Sequence, residues 1–277
     1  MPVTHVSHRG LTLPAVGLGT YKLKGAAGAE AIARGVQLGY TLLDSAYNYE
    51  NEGTVGEGIR ACGEPRGGLI VTSKLPGRYQ RHDDALVTVQ DSLYRTGLSN
   101  IDLYLIHWPN PAQGLYVEAF EALLEAREAG LISHVGVCNF LPEHLEALKD
   151  ATGEYPEVNQ IELHPYFPQT EALAFHRERG IITQAWSPLR RGGELFEERA
   201  ITAPAARLGV SPAEVVVAWH VAIGSLPIPK SAHPDRQLAN LRAQHLELTP
   251  EEVAAITALG RPDGRMKNQD PAVYEEF

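Results

Sequence analysis

Asp44, Lys74, His107, Asn139, Gln160, Trp186 and Lys230 each stand where a short apolar run of this chain stops. The runs, expected as strands, are Tyr40–Leu43, Leu69–Ser73, Ile101–Ile106, Ser133–Cys138, Glu157–Asn159, Ile181–Ala185 and Ser225–Pro229. Functional groups at matching positions in successive segments point to one shared site. An Asp, a Lys and a His that emerge this way are what a (β/α)8 TIM barrel presents at the C-terminal face of its parallel strands, where barrel active sites lie.

Two chemistries suit a lysine in such a mouth. Lys74 can lose its proton and form a Schiff base with a carbonyl substrate, as a class I aldolase does, or keep it and lower the pKa of a neighbouring acid. Tyr49 favours the second. A phenol titrates near 10 in water, and an adjacent ammonium favours its ionised form and is expected to pull that pKa toward neutrality. Asp44 would keep Lys74 charged, and His107 would hydrogen-bond a carbonyl oxygen and fix its orientation. Asp44, Tyr49, Lys74 and His107 together make a proton-donating site for a carbonyl, while carbonyl reduction also needs a hydride that no side chain supplies. Singly, these residues have blander readings. A buried Asp–Lys pair is often only structural, Trp186 alone reads as core, and Asn139 and Gln160 can simply satisfy backbone groups at a rim. Glu162 and His164, at alternate positions beyond Gln160, read as a structural hydrogen-bonded pair.

The elements that must position these groups show the matching cadence. Amphipathic segments end at a glycine, a favoured residue just past a helix, and an apolar run follows at Gly39-Tyr40, Gly97-Leu98, Gly130-Leu131 and Gly180-Ile181. Helices are expected over Ala29–Leu38, Glu52–Ala61, Asp83–Arg95, Val117–Ala129, Pro142–Lys149, Thr170–Arg179, Pro212–Ala222, Asp235–Leu241 and Pro250–Leu259. Ser211-Pro212 and Thr249-Pro250 place a capping hydroxyl before a proline at the first helical position. Thr4–Val6 and Leu11–Leu13 flank Ser7-His8-Arg9-Gly10 and read as a small hairpin that closes the bottom of the barrel. Pro262–Phe277 has no clear period and reads as a tail folded over the rim. The 277 residues are close to the roughly 250 of such a barrel, so a single domain over 1–277 is expected.

Composition narrows the partners. The formal charge of −10 argues against nucleic acid and anionic membrane, which need a basic surface. No apolar stretch approaches the roughly 20 residues of a membrane span, and Met1–Gly10 lacks the apolar core of a signal peptide. With only Cys62 and Cys138, a disulfide is not expected, and a reducing cytoplasm is the natural location. His5 and His8 lack a third ligand nearby, so no metal is expected. No long exposed apolar helix demands a partner, and a monomer is expected.

Six segments carry a family resemblance. Leu43-Asp44-Ser45-Ala46-Tyr47-Asn48-Tyr49-Glu50-Asn51-Glu52, Thr72-Ser73-Lys74, Leu105-Ile106-His107-Trp108-Pro109, Gly136-Val137-Cys138-Asn139-Phe140, Asn159-Gln160 and Ile228-Pro229-Lys230-Ser231 resemble the aldo-keto reductases. The similarity runs from Gly17-Leu18-Gly19-Thr20-Tyr21 to about Leu248 and looks most like the bacterial 2,5-diketo-D-gluconate reductases. It implies an NADPH-dependent reduction of aldehydes and ketones, with Tyr49 as general acid, Lys74 and Asp44 as its tuning pair and His107 as the orienting group. By the same resemblance Asn139 and Gln160, with Cys138 beside them, would hold the nicotinamide carboxamide, and Trp186 would stack on the nicotinamide ring. Thr20 and Asp44 would touch that end. Ser187 and Leu189 would lie along the pyrophosphate, and Lys230, Ser231, Arg236 and Asn240 would take the adenosine 2′-phosphate and adenine. Cys138 departs from the family's usual Ser, and a thiol is the weaker donor; His233 and Ala239 also depart near the phosphate. Tyr21, Tyr49, His107 and Trp108 would line a pocket for small carbonyl compounds, with keto-sugar acids such as 2,5-diketo-D-gluconate and dicarbonyls among them. An NADPH-binding regulatory barrel and a Schiff-base aldolase using Lys74 stay open beside this reading.

Overall fold

The computed structural model describes residues 4–277. A hairpin of β1 (Thr4–Val6) and β2 (Thr12–Pro14) comes first. Eight parallel strands follow: β3 (Leu18–Gly19), β4 (Leu42–Asp44), β5 (Ile70–Leu75), β6 (Ile101–Ile106), β7 (Ile132–Cys138), β8 (Val158–Glu162), β9 (Ile182–Trp186) and β10 (Leu226–Pro227). Each pairs with the next in chain order. The ring closes where the amide of Gly17 donates to Pro227 O at 3.0 Å and that of Gly19 to Pro229 O at 3.2 Å. Closure needs glycine there, because a Cβ on Gly19 would stand 3.0 Å from Ile228 O and one on Gly17 2.9 Å from the Leu42 side chain.

Around the ring lie α1 (Gly25–Gln37), α2 (Glu52–Ala61), α3 (His82–Thr96), α4 (Tyr116–Glu128), α5 (Pro142–Thr152), α6 (Thr170–Glu178), α7 (Arg199–Leu208), α8 (Pro212–Ala222), α9 (Pro234–Arg242) and α10 (Pro250–Thr257). The architecture is the expected (β/α)8 barrel. Helix α1 shows why the amphipathic segments pack outside the sheet: it buries Ala29, Ile32, Ala33 and Val36 along one stripe, the spacing of a core-facing helix. The Ser211 and Thr249 caps of α8 and α10 form as expected, each accepting a hydrogen bond from the amide three residues on.

The hairpin plugs the bottom. Leu11 and Leu13 join Leu42, Leu103, Val158, Ile182 and Leu226 in one buried cluster, while the Ser7 hydroxyl donates to Glu157 at 2.7 Å and the His8 amide to Gly180 O at 2.8 Å. The tail crosses the opposite, C-terminal face, where the Met266 amide donates to Glu162 at 2.6 Å.

Two elements escaped the sequence reading. Strand β3 is only two residues long, too short to show a period. Helix α7 contains Pro204, which reads as a breaker; burial of Ile201, Pro204 and Ala205 where α7 packs on α8 and α10 overrides that local preference. Several strand ends also differ: β4 and β9 run one residue further, to Asp44 and Trp186, and β10 stops at Pro227, short of Pro229. β5 continues through Lys74 to Leu75, and β8 runs through Gln160 to Glu162, because ladder hydrogen bonds do not depend on whether a side chain is polar.

Candidate functional site

The mouth of the barrel gathers groups from six strands. Asp44 ends β4 and Lys74 lies near the end of β5, so both side chains enter the ring from adjacent strands. The Lys74 ammonium donates to Asp44 Oδ1 at 2.8 Å, to Oδ2 at 2.8 Å and to Ser45 O at 2.7 Å. Lys74 is fully buried. Burial alone would lower its pKa, but the Asp44 carboxylate outweighs it and the net shift is upward, so the ammonium stays charged. Gln160 Nε2, from β8, donates to Asp44 Oδ1 at 2.8 Å and to Gln184 Oε1 at 2.9 Å. Cys138 is buried on β7 close enough to feel Lys74 and Asp44, and burial holds its thiol pKa well above the ordinary range.

Tyr49 ends a single 3-10 turn, Tyr47–Tyr49, that follows β4. Asn51 pins this loop: its Nδ2 donates to Thr20 O at 2.7 Å and Leu23 O at 3.0 Å, and its Oδ1 accepts from Ser45 at 2.8 Å. Lys74 Nζ lies 5.0 Å from the centre of the Tyr49 ring, and the His107 ring stands edge-on at 6.0 Å. Burial pushes the phenol up to about 12, with Lys74 as the largest opposing influence. This corrects the expected move toward neutrality: Lys74 acts in the expected direction, but desolvation is larger. Tyr47, two residues away, points elsewhere. Its ring packs under Arg95 at 3.7 Å and its hydroxyl reaches Asp91 at 3.4 Å, both on α3.

His107 follows β6. Its Nδ1 faces Glu276 Oε1 at 2.7 Å, a contact from the tail that no periodicity in the sequence announced. Tyr21 lies against Tyr49 with ring centres 5.0 Å apart and remains 45% exposed, open to a ligand. Trp108 is buried and packs on Tyr274 of the tail at 4.4 Å. Glu162 and His164 form the structural pair expected of them, 3.0 Å apart, with Glu162 also anchoring the tail.

A second group of residues forms a band along the same rim. Asn139 has left-handed backbone, φ 63°, and its amide is fully oriented: Nδ2 donates to His107 O at 3.0 Å, and Oδ1 accepts from Trp186 Nε1 at 2.7 Å. That second bond holds the half-buried Trp186 ring in place at the end of β9. Thr20 is buried with its hydroxyl on Asp44 O at 2.8 Å. Ser187, also left-handed at φ 49°, and Leu189 continue the band from Trp186. Lys230 and Ser231 follow β10, with Arg236 and Asn240 on α9. Ser231 Oγ accepts from the His233 amide at 3.0 Å. Lys230 and Arg236 are exposed and join no salt bridge among the described residues. The structure thus brings together the catalytic candidates and spreads the remaining candidates from the mouth to α9. Sequence reasoning missed Glu276, Asn51 and Gln184; Asn51 lay within a quoted motif, whereas the other two carried no signal of their own.

Known proteins resemble this chain in sequence and fold. The chain matches the Aldo/keto reductase family over residues 15–261. It is 49% identical over 261 residues to 2,5-diketo-D-gluconic acid reductase B of Corynebacterium sp. (strain SHS752001), covering 94% of each chain. Among solved structures, a Gox0644 variant in complex with NADPH is 38% identical and superposes with a TM-score of 0.93 over 99% of both chains. The Bombyx mori aldo-keto reductase in complex with NADP is 30% identical, with a TM-score of 0.89 over 100% of this chain and 98% of that one.

Proposed function

Because the chain belongs to the aldo/keto reductase family, we propose that its barrel mouth reduces small aldehydes and ketones with Tyr49 as the proton donor. As a member of that family it is an oxidoreductase that works with NADP(H). The observation that carries the assignment of the acid is the buried Asp44–Lys74 pair set against the Tyr49 ring and not against Tyr47.

The residues present suit the cofactor. Trp186 is fixed as a platform by Asn139, and in an acidic protein the uncommitted Lys230 and Arg236 form a local cationic spot suited to a phosphate. Asn139 and Gln160 would receive the carboxamide, Cys138 and Thr20 would border it, Ser187 and Leu189 would follow the pyrophosphate, and Ser231 and Asn240 would complete the adenosine end. When bound, NADPH supplies the hydride. Tyr49 then holds the proton for the carbonyl oxygen, the Lys74 charge favours its departure, and Asp44 keeps Lys74 protonated. His107 orients the carbonyl, while Tyr21 and Trp108 border the substrate.

A charged lysine with three acceptors around it is a poor Schiff-base nucleophile, which speaks against the aldolase reading. The substrate class we favour is small dicarbonyls and keto-sugar acids, in keeping with the activity named for the Corynebacterium relative. We also take residues 1–277 as a single barrel domain working as a cytoplasmic monomer without nucleic acid or membrane partners; no helix among the described residues is long and apolar enough to cross a membrane, and of the large exposed apolar side chains only Val87 and Tyr94 share a helix, α3, while Val6, Tyr21 and Val273 come from separate elements. The test is NADPH oxidation, followed by its absorbance, with a panel that includes 2,5-diketo-D-gluconate, methylglyoxal and aromatic aldehydes. Turnover that Tyr49→Phe abolishes supports the proposal. Tight NADPH binding with no turnover on any carbonyl would instead favour a regulatory barrel.

A further inference from the structure

Glu276, the next-to-last residue of the chain, is buried and fixed from several sides. Gly77 N donates to its Oε2 at 2.9 Å and Asn48 Nδ2 to its Oε1 at 2.8 Å. Its own amide donates to Asn110 Oδ1 at 3.0 Å, and its carbonyl accepts from Asn110 Nδ2 at 2.8 Å. Gly77 has to be glycine here, since a Cβ would stand 2.6 Å from Glu276 O and 2.2 Å from Asn110 Nδ2. Next to it, Glu275 accepts from the Ala112 amide at 2.7 Å, and Tyr274 lies on Trp108. So many contacts hold one carboxylate beside one atom: His107 Nδ1, which is buried and lies 2.7 Å away at ion-pair distance, with its N–H not lined up on the carboxylate oxygen and no hydrogen-bond partner elsewhere.

We propose that Glu276 is a positioning residue of the reducing site, holding a proton on His107 Nδ1 so that Nε2 can donate to a substrate carbonyl only as part of an imidazolium. The inference rests on the carbonyl-reducing reading above. A carboxylate is acceptor-only, so the proton of this contact belongs to Nδ1; a neutral ring would then show the pocket a lone pair at Nε2. Burial works to raise the Glu276 pKa, but His107 and the donors Gly77 and Asn48 outweigh it and the net shift is downward, which keeps the carboxylate ionised. The other groups facing His107 are the Tyr49 phenol from the Tyr47–Tyr49 turn and the Asn139 amide from the end of β7. The Lys74–Asp44 pair lies beyond Tyr49. On the solvent side, Arg78 donates to Asn48 Oδ1 at 2.6 Å, which turns the Asn48 NH2 group toward Glu276.

The experiment uses the full chain with NADP+, nitrogen-15 NMR of the histidine rings with His107 assigned by its absence in His107→Gln, and steady-state kinetics of Glu276→Gln and Glu276→Asp. The proposal expects a protonated Nδ1 in the wild type, a smaller population of the doubly protonated ring in Glu276→Gln, whose amide oxygen still accepts from Nδ1 but carries no charge, a kcat lower by about tenfold or more with NADPH binding unchanged, and partial recovery in Glu276→Asp. An unprotonated Nδ1 in the wild type overturns it without any variant, as does a folded Glu276→Gln with wild-type kcat and ring signals. If wild-type protein reduces no carbonyl, the reading of the site fails, and the ring signals still decide the Glu276–His107 contact.

Discussion

At Tyr49 two effects oppose each other, and their balance sets what the residue can do. Desolvation raises the phenol to about 12, while the Lys74 charge favours the phenolate. A donor that must be protonated works below its pKa and fails as pH rises through it, so in this protein the loss belongs well above neutrality. Tyr49→Phe removes the proposed proton source and should lower the reduction rate by at least about a hundredfold, the lower range for a general acid, with NADPH affinity nearly unchanged. Tyr47→Phe should be mild; the reverse ranking of the two variants would show that the acid is misassigned. Lys74→Met removes the influence that opposes burial, which raises the phenol pKa further and weakens it as an acid. Its rate should fall severely at every pH from about 6 to about 9 with no new loss appearing in that span; a descending limb there would contradict the coupling.

Among the elements, α6 is tied to the sheet through one neutral histidine. His176 Nδ1 bonds the Thr183 hydroxyl of β9 at 2.8 Å, and Asn159 Nδ2 of β8 donates to its Nε2 at 3.0 Å. Burial, assisted by Arg179, lowers its pKa to about 4, whereas an unfolded histidine titrates near 6.5. Between those values the unfolded chain binds the proton that the folded one excludes. Stability from this group is therefore present above about pH 6.5 and lost as pH falls toward about 4, by roughly 1.4 kcal/mol per pH unit. Denaturant midpoints measured across that window should decline toward acid, and His176→Gln should flatten the slope by one proton's worth. A slope that His176→Gln leaves unchanged would place the dependence on other groups, such as the buried His220.

Over the whole molecule, a net charge of −10 makes a bound phosphate unfavourable unless cations stand close to it. Lys230, beyond β10, and Arg236, in the first turn of α9, are the cations proposed for that part, and neither is engaged by a carboxylate among the described residues. Hydrogen bonds to charged groups contribute roughly 1.5–3 kcal/mol, so Arg236→Ala should weaken NADPH binding by about ten- to a hundredfold and leave NADH, which lacks the phosphate, little changed. Dissociation constants for both cofactors at low and high salt check this. Equal loss for both, or for neither, removes Arg236 from the phosphate site.

The barrel, its helices and the gathering of Asp44, Tyr49, Lys74 and His107 at one rim were legible in the chain, because each βα unit repeats its own periodicity and its own glycine stop, and parallel strands carry equivalent positions to the same face. Local pattern could not show β3, which becomes a strand only by closing the ring, or α7, whose proline is tolerated because packing on α8 and α10 buries that turn. It also could not weigh burial against charge at Tyr49, since desolvation depends on everything packed around the ring and not on its neighbours in sequence. Glu276 is the clearest case. Its 169-residue separation from His107 is crossed only when the tail folds over the rim, so its part in the site was decided by the tertiary structure.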